Sequence, residues 1–187
     1  MAYAPRDGGY TVDDLDWLRD EIGVAHLELD PWGSLIVTPA TDEHEIAVSR
    51  LIAQAIRGLG LPDGCVRVNG FPWTVPGGSG YTNMPDIAVL DPSSTRVGEL
   101  HLDPPPLLVV EVASPSTRRV DRTRKLADYQ LGGAGVYLLV DLPSPGGPAE
   151  VMFEAHDFAA GQVTTAAGAI DLVVGRRPVR FDLTPPG

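Results

Sequence analysis

The chain has 187 residues, 43% of them hydrophobic, enough to bury one sizeable core and too apolar for a chain disordered throughout. Its formal net charge of −11 argues against broad electrostatic attraction to nucleic acid, because neutralisation of phosphate by Lys and Arg supplies most non-specific affinity. The single cysteine, Cys65, excludes an internal disulfide and a cysteine-based zinc site, and no apolar stretch approaches the length that spans a bilayer, so a soluble, cytoplasmic protein without a membrane partner is expected.

The first predicted helix runs from about Thr11 to Ile22, with Thr11 as N-cap and Asp13 and Asp14 in the electropositive first turn. Two short strand-like runs between His26 and Val37 flank Pro31 and Gly33 and read as a β-hairpin. After Pro39, Thr41 caps a second helix to about Leu59, with Val48, Ile52, Ala55, Ile56 and Leu59 at helical spacing and Gly58 and Gly60 marking its stop. Strands are expected at Cys65–Val68, at Asp86–Leu90 and in the apolar run Leu107–Val112, the last buried on both faces at the centre of a sheet. Phe71–Thr82 and Asp91–Pro106 are rich in turn formers and read as loops.

A third helix over Asp121–Leu131 ends at Gly132 and Gly133, and Val136–Val140 reads as a second buried strand, so strand, helix and strand form a right-handed βαβ unit. Beyond Asp141 a Pro- and Gly-rich turn leads to Val151–Glu154 and to short strands around Val163, Leu172 and Val179, and the final Pro185-Pro186-Gly187 is expected to fray. The whole of 1–187 is expected to be one α/β (α+β) domain: a mixed sheet flanked by helices over about 24–142, a helix over 11–22 and a C-terminal β extension over 150–183.

Chemistry concentrates in the middle of the chain. Asp86 opens one strand and Glu111 lies late in another, where an ionised side chain is costly unless something offsets its charge. A hard divalent cation, which binds through one or two carboxylates and keeps several waters, would do so; a turn-closing Asp and a Glu paired with a nearby arginine would satisfy the same residues without a metal. Lys125, on the helix after Glu111, can reach back toward a scissile phosphate to orient water or offset developing charge, or simply pair with Asp121 one turn earlier. Ser114, Ser116 and Thr117 present hydroxyls and N–H groups either to a phosphate or to a helix cap. Arg118, Arg119, Arg122, Arg124 and Lys125 fall within eight positions, as a local basic surface or as a solvated helix face. No phosphate-binding Gly-rich loop, G-x-S-x-G elbow or H-E-x-x-H helix competes with this cluster.

Pro85-Asp86-Ile87-Ala88-Val89, then Leu108-Val109-Val110-Glu111-Val112-Ala113-Ser114-Pro115-Ser116-Thr117, then Asp121, Lys125-Leu126-Ala127-Asp128-Tyr129 and Gly135-Val136-Tyr137-Leu138-Leu139-Val140-Asp141 closely resemble, in order and spacing, the bacterial Uma-two family of putative restriction endonucleases, a PD-(D/E)XK nuclease type. The resemblance extends forward to the Glu28 hairpin, Thr38-Pro39 and His44. It implies a restriction-endonuclease-like core and a metal-dependent endonuclease acting on DNA. Asp86 and Glu111, with the carbonyl of Val112, would hold Mg²⁺ or Mn²⁺, and Lys125 would stand in for the lysine that the plain pattern places at Ala113. Glu28 and His44 are additional site candidates, Ser114, Ser116, Arg118, Arg119 and Arg122 are candidate phosphate contacts, and a homodimer is expected. A nuclease-fold binding module that does not cut, and a phosphodiesterase for another nucleotide, are the alternatives.

Overall fold

The computed structural model describes residues 9–22, 27–37, 41–68, 73–74, 82–97, 101–115, 117–144 and 147–185. A single 3₁₀ turn, Val12–Asp14, leads into α1 (Leu15–Ile22). The Thr11 N–H and hydroxyl both donate to the Asp14 carboxylate, which ties Thr11 to the helix start. Strands β1 (Leu27–Leu29) and β2 (Leu35–Val37) pair antiparallel as the expected hairpin; His26 and Thr38-Pro39 lie outside the described residues. The Thr41 hydroxyl accepts the His44 N–H at 3.3 Å to start α2 (Asp42–Leu59), which stops at Gly60 in the left-handed conformation that glycine adopts without a Cβ penalty. Its buried stripe is Ala47, Val48, Leu51, Ala55 and Leu59; Ile56 is half exposed, so the stripe is rotated from the expected one and passes through Leu51.

The main sheet holds six strands in the order β12-β11-β10-β9-β6-β3, counted along the chain. These are β3 (Val66–Val68), β6 (Ile87–Val89), β9 (Leu108–Ala113), β10 (Val136–Asp141), β11 (Met152–Asp157) and β12 (Gln162–Ala167). β9 and β10 run parallel and every other neighbouring pair is antiparallel, which makes the sheet mixed. All six residues of β9 and of β10 are buried, Glu111 and Asp141 included, as fits central strands with neighbours on both sides. β11 and β12 extend the same sheet, so residues 152–167 are part of the main layer.

Both predicted loops contain paired strands. β4 (Trp73–Thr74) pairs with β5 (Thr82–Asn83), and β7 (Thr95–Val97) with β8 (His101–Asp103); each run is too short to show a period against its Pro- and Gly-rich surroundings. The third helix begins three residues earlier than expected, as α3 (Arg118–Val120), widens into a π-helical segment over Asp121–Lys125 and continues as α4 (Leu126–Leu131). One face of the sheet, through Val110, Val112, Leu138, Val140 and Phe153, packs on α2 and on the hairpin β13 (Ala169–Val174) and β14 (Arg177–Asp182). The other, through Val109, Ala113, Tyr137 and Leu139, lies under α4, whose Tyr129 joins that cluster.

Candidate active site

Alternation along β9 sends Leu108, Val110 and Val112 into the large core and Glu111 to the opposite face. Ile87 pairs with Val110 in antiparallel register, so Asp86, one residue before β6, comes opposite Glu111. Two carboxylates thus share one face of neighbouring strands. The Val112 N–H donates to Asp86 Oδ2 at 2.7 Å, and His44 Nε2 lies 3.2 Å from the same oxygen. The Thr41 cap sets the first turn of α2, which is how His44 reaches Asp86.

The helix between β9 and β10 supplies the cation. Lys125 Nζ lies 2.8 Å from Glu28 Oε1, 3.0 Å from Glu111 Oε1 and 3.5 Å from Asp121 Oδ1. Glu28 comes from β1, outside the main sheet, and its Oε1 also accepts the Met84 N–H at 2.9 Å. Tyr129, one turn beyond Lys125, donates its hydroxyl to Glu111 Oε1 at 2.6 Å, and Tyr137 donates to the Asp121 carbonyl at 3.1 Å. Glu28, Asp86, Glu111, Asp121 and Lys125 are each at most 4% exposed. The expected Asp121–Lys125 pair therefore coexists with the site.

Four buried carboxylates face one lysine and one histidine, and the titration of the groups follows from that imbalance. Burial pushes Glu111 well above the usual carboxylate range; Lys125 opposes this, while Asp86, Asp121 and Glu28 reinforce it. Asp121 is also raised by burial, against the pull of Lys125. Burial would depress Lys125, but Glu111, Glu28 and Asp121 together raise it, so it stays charged. One ammonium cannot compensate three carboxylates, and the surplus falls on the fully buried Glu111. His44 is raised by its hydrogen bond to Asp86, with burial working against it.

An all-oxygen donor set with surplus negative charge suits a hard divalent cation. Asp86 and Glu111, opposite one another on neighbouring strands, are the pair that could hold one. Among the described residues no three His, Cys, Asp and Glu side chains form a ready-made coordinating group.

The arginines are placed differently. Arg118 Nε lies 2.6 Å from Asp141 Oδ1, and Arg122 reaches Asp141 Oδ2 and, at 3.4 Å, Glu154. Both guanidinium groups tie the helix to Asp141 at the end of β10, Arg122 also reaches β11, and Arg119 alone of the three is exposed. Ser114 exchanges hydrogen bonds with Thr117 through hydroxyls and N–H groups at 3.1–3.2 Å, a local turn before the helix; Ser116 lies outside the described residues. Pattern alone singles out Asp121 only as the partner of Lys125, and Tyr129 not at all. Their signal is the i, i+4, i+8 spacing Asp121, Lys125, Tyr129, which puts all three on one helix stripe.

A family model described as "Putative restriction endonuclease", Uma2, matches residues 19–156, more than half of the chain. The chain belongs to the Uma2 family. Its match spans every residue of the candidate site, from Glu28 to Tyr129. Among solved structures, the chain resembles a crystal structure of a putative nuclease belonging to DUF820 from Anabaena variabilis, at 18% identity over 75% of each chain with a TM-score of 0.52. That likeness carries the fold, and the fold of this Uma2 chain is restriction-endonuclease-like. Among curated proteins no relative matches. Among the described residues no helix is long and apolar enough to cross a membrane.

Proposed function

We propose that this Uma2 chain is a metal-dependent endonuclease that hydrolyses phosphodiester bonds of DNA. The observation that carries the reading is the convergence of Asp86, Glu111 and Lys125, from two neighbouring strands and the crossover helix, in a buried group with more carboxylate than cation. Asp86 and Glu111 would hold Mg²⁺ or Mn²⁺, with the Val112 carbonyl as a further oxygen. Such an ion supplies the charge that the carboxylates lack and polarises a phosphate ester toward attack by water.

The chain's own residues do the rest. Lys125, held charged by three carboxylates, is unsuited to accept a proton and suited to donate hydrogen bonds to the attacking water or to a phosphate oxygen. Glu28 aims Lys125, because one oxygen holds both the ammonium and the backbone just before Asp86. His44 orients Asp86. Ser114 and Arg119 flank this group at the start of the helix as contacts for the DNA backbone, which fix position and carry no sequence information. Arg118 and Arg122 can join them only by leaving Asp141. A homodimer, matching a two-stranded substrate, and a reducing cytoplasmic location complete the reading.

The tied arginines and the net charge of −11 favour a second reading, a nuclease-fold module that binds without cutting. Cleavage of single- and double-stranded DNA with Mg²⁺ or Mn²⁺, measured beside Glu111→Ala and Lys125→Ala, separates the two. Activity in the wild type that both variants lose supports the endonuclease. Equal inertness of all three over a broad substrate panel supports the binding module.

A further inference from the structure

Glu111 Oε1 receives two donors, the Tyr129 hydroxyl at 2.6 Å and Lys125 Nζ at 3.0 Å. These donors differ in how firmly they are committed. Lys125 divides its ammonium among Glu28, Glu111 and Asp121, and any phosphate oxygen or water that it engages draws it away from one of them. The Tyr129 ring is fully buried and lies against Tyr137 with centroids 5.2 Å apart, so its hydroxyl cannot swing elsewhere without breaking core packing. A short hydrogen bond from a neutral donor to a carboxylate is charge-assisted and directional.

We infer that Tyr129 is the positioning residue for Glu111: it pins Oε1 against the helix so that Oε2 is presented to the divalent cation whether or not Lys125 is engaged with substrate. The inference rests on the metal-dependent reading above and adds to it a residue that touches neither substrate nor metal. Outer-shell partners of this kind alter metal affinity by about 10- to 100-fold when removed.

The test is Mn²⁺ binding measured by isothermal titration on wild type, Tyr129→Phe, Tyr137→Phe and Glu111→Gln, with metal-free melting temperatures alongside. Tyr129→Phe deletes one oxygen and keeps the ring stack, so it folds. Tyr137→Phe deletes the same group from the same aromatic pair, but from a hydroxyl bonded to the Asp121 carbonyl, and serves as the packing control. The expected result is an Mn²⁺ dissociation constant raised about 10-fold in Tyr129→Phe and unchanged within about 2-fold in Tyr137→Phe. Equal affinity in Tyr129→Phe and wild type overturns the inference alone, as does equal weakening by both tyrosine variants, which would make the effect one of packing. Absence of Mn²⁺ binding in the wild type overturns the metal-dependent reading and the inference with it.

Discussion

The two faces of the central sheet are built on opposite principles. Beneath α2 and the β13–β14 hairpin, β9 and β10 contribute Leu108, Val110, Val112, Leu138 and Val140, and nothing on that side of either strand ionises. Beneath the crossover helix the same two strands contribute, beside the apolar Val109, Ala113 and Leu139, the polar Glu111, Tyr137 and Asp141, each answered by a charged or hydrogen-bonding group. The first face loses water and gains packing, with no charge to compensate. The second surrenders hydration of its charges and recovers it only while every partner is present. Both faces stabilise the fold, the first by packing alone and the second by packing together with paired charges, and the two should respond differently to mutation, pH and metal.

The sharpest break of this contrast is Lys125→Ala, which leaves Glu28, Glu111 and Asp121 buried without their cation. A loss of about 3–5 kcal/mol is expected, shrinking as pH falls and the stranded carboxylates take up protons. Phe153→Ala, on the apolar face, should lose about 3–5 kcal/mol as well, but by the same amount at pH 5 and pH 8. Urea denaturation of both variants at the two pH values checks this. Parallel losses for both would mean that the polar face is packed and not electrostatic in origin.

Next in size is the effect of metal on the intact protein. Glu111, Asp121 and His44 are all raised in the folded chain. The folded state therefore holds more protons than the unfolded one from the usual carboxylate range up through their raised values. Stability falls as pH rises across that window: the two carboxyl groups destabilise once they must ionise while buried, and the His44 contribution, complete below about 6.5, fades as it deprotonates. A cation needs ionised carboxylates, so one fixed Mn²⁺ concentration should stabilise the fold, and raise its melting temperature, more at pH 8 than at pH 6. The stabilisation is about 2.7 kcal/mol at the pH where that concentration is 100 times the dissociation constant. A shift that is equal at both pH values, or that survives Asp86→Ala, would place the ion elsewhere.

How much of this was legible in the sequence follows the same division. The apolar face announces itself by period and run length: β9 and β10 are mostly apolar segments in which Glu111 and Asp141 stand out, and the Thr41 cap and Gly60 stop bracket α2. Ile56 misled only because a stripe of 3.6-residue period admits two phases that differ by one residue, and the sheet selects the one through Leu51. On the polar face Asp86, Glu111 and Lys125 were readable as residue types out of place and through family resemblance. Among their partners Asp121 was readable from its i, i+4 spacing to Lys125, and Glu28 and His44 as candidates through the resemblance, but nothing local says that Glu28 folds over from a separate hairpin to hold Lys125, or that Tyr129 reaches back to Glu111. The arginine run was readable as charge but not as direction: Asp141, which engages Arg118 and Arg122, sits at the far end of the next strand.

That last pairing gives the finest test of how far the polar face is committed to its own stability. Asp141 is buried beneath two guanidinium groups, and Asp141→Asn removes the charge that holds them while keeping the side chain's size. The fold should weaken by roughly 1–3 kcal/mol, the range for a lost hydrogen-bond partner of charged groups. If Arg118 and Arg122 lie beside the path of the DNA backbone, releasing both adds up to two phosphate contacts. The slope of log affinity against log salt should then steepen by as much as about 1.8, at 0.9 per contact on duplex DNA. Fluorescence anisotropy of a labelled duplex over a salt series reads that slope directly. A variant that loses stability and keeps the wild-type slope confines these arginines to the fold, and leaves Arg119 and Lys125 as the basic side chains through which this helix meets a phosphate.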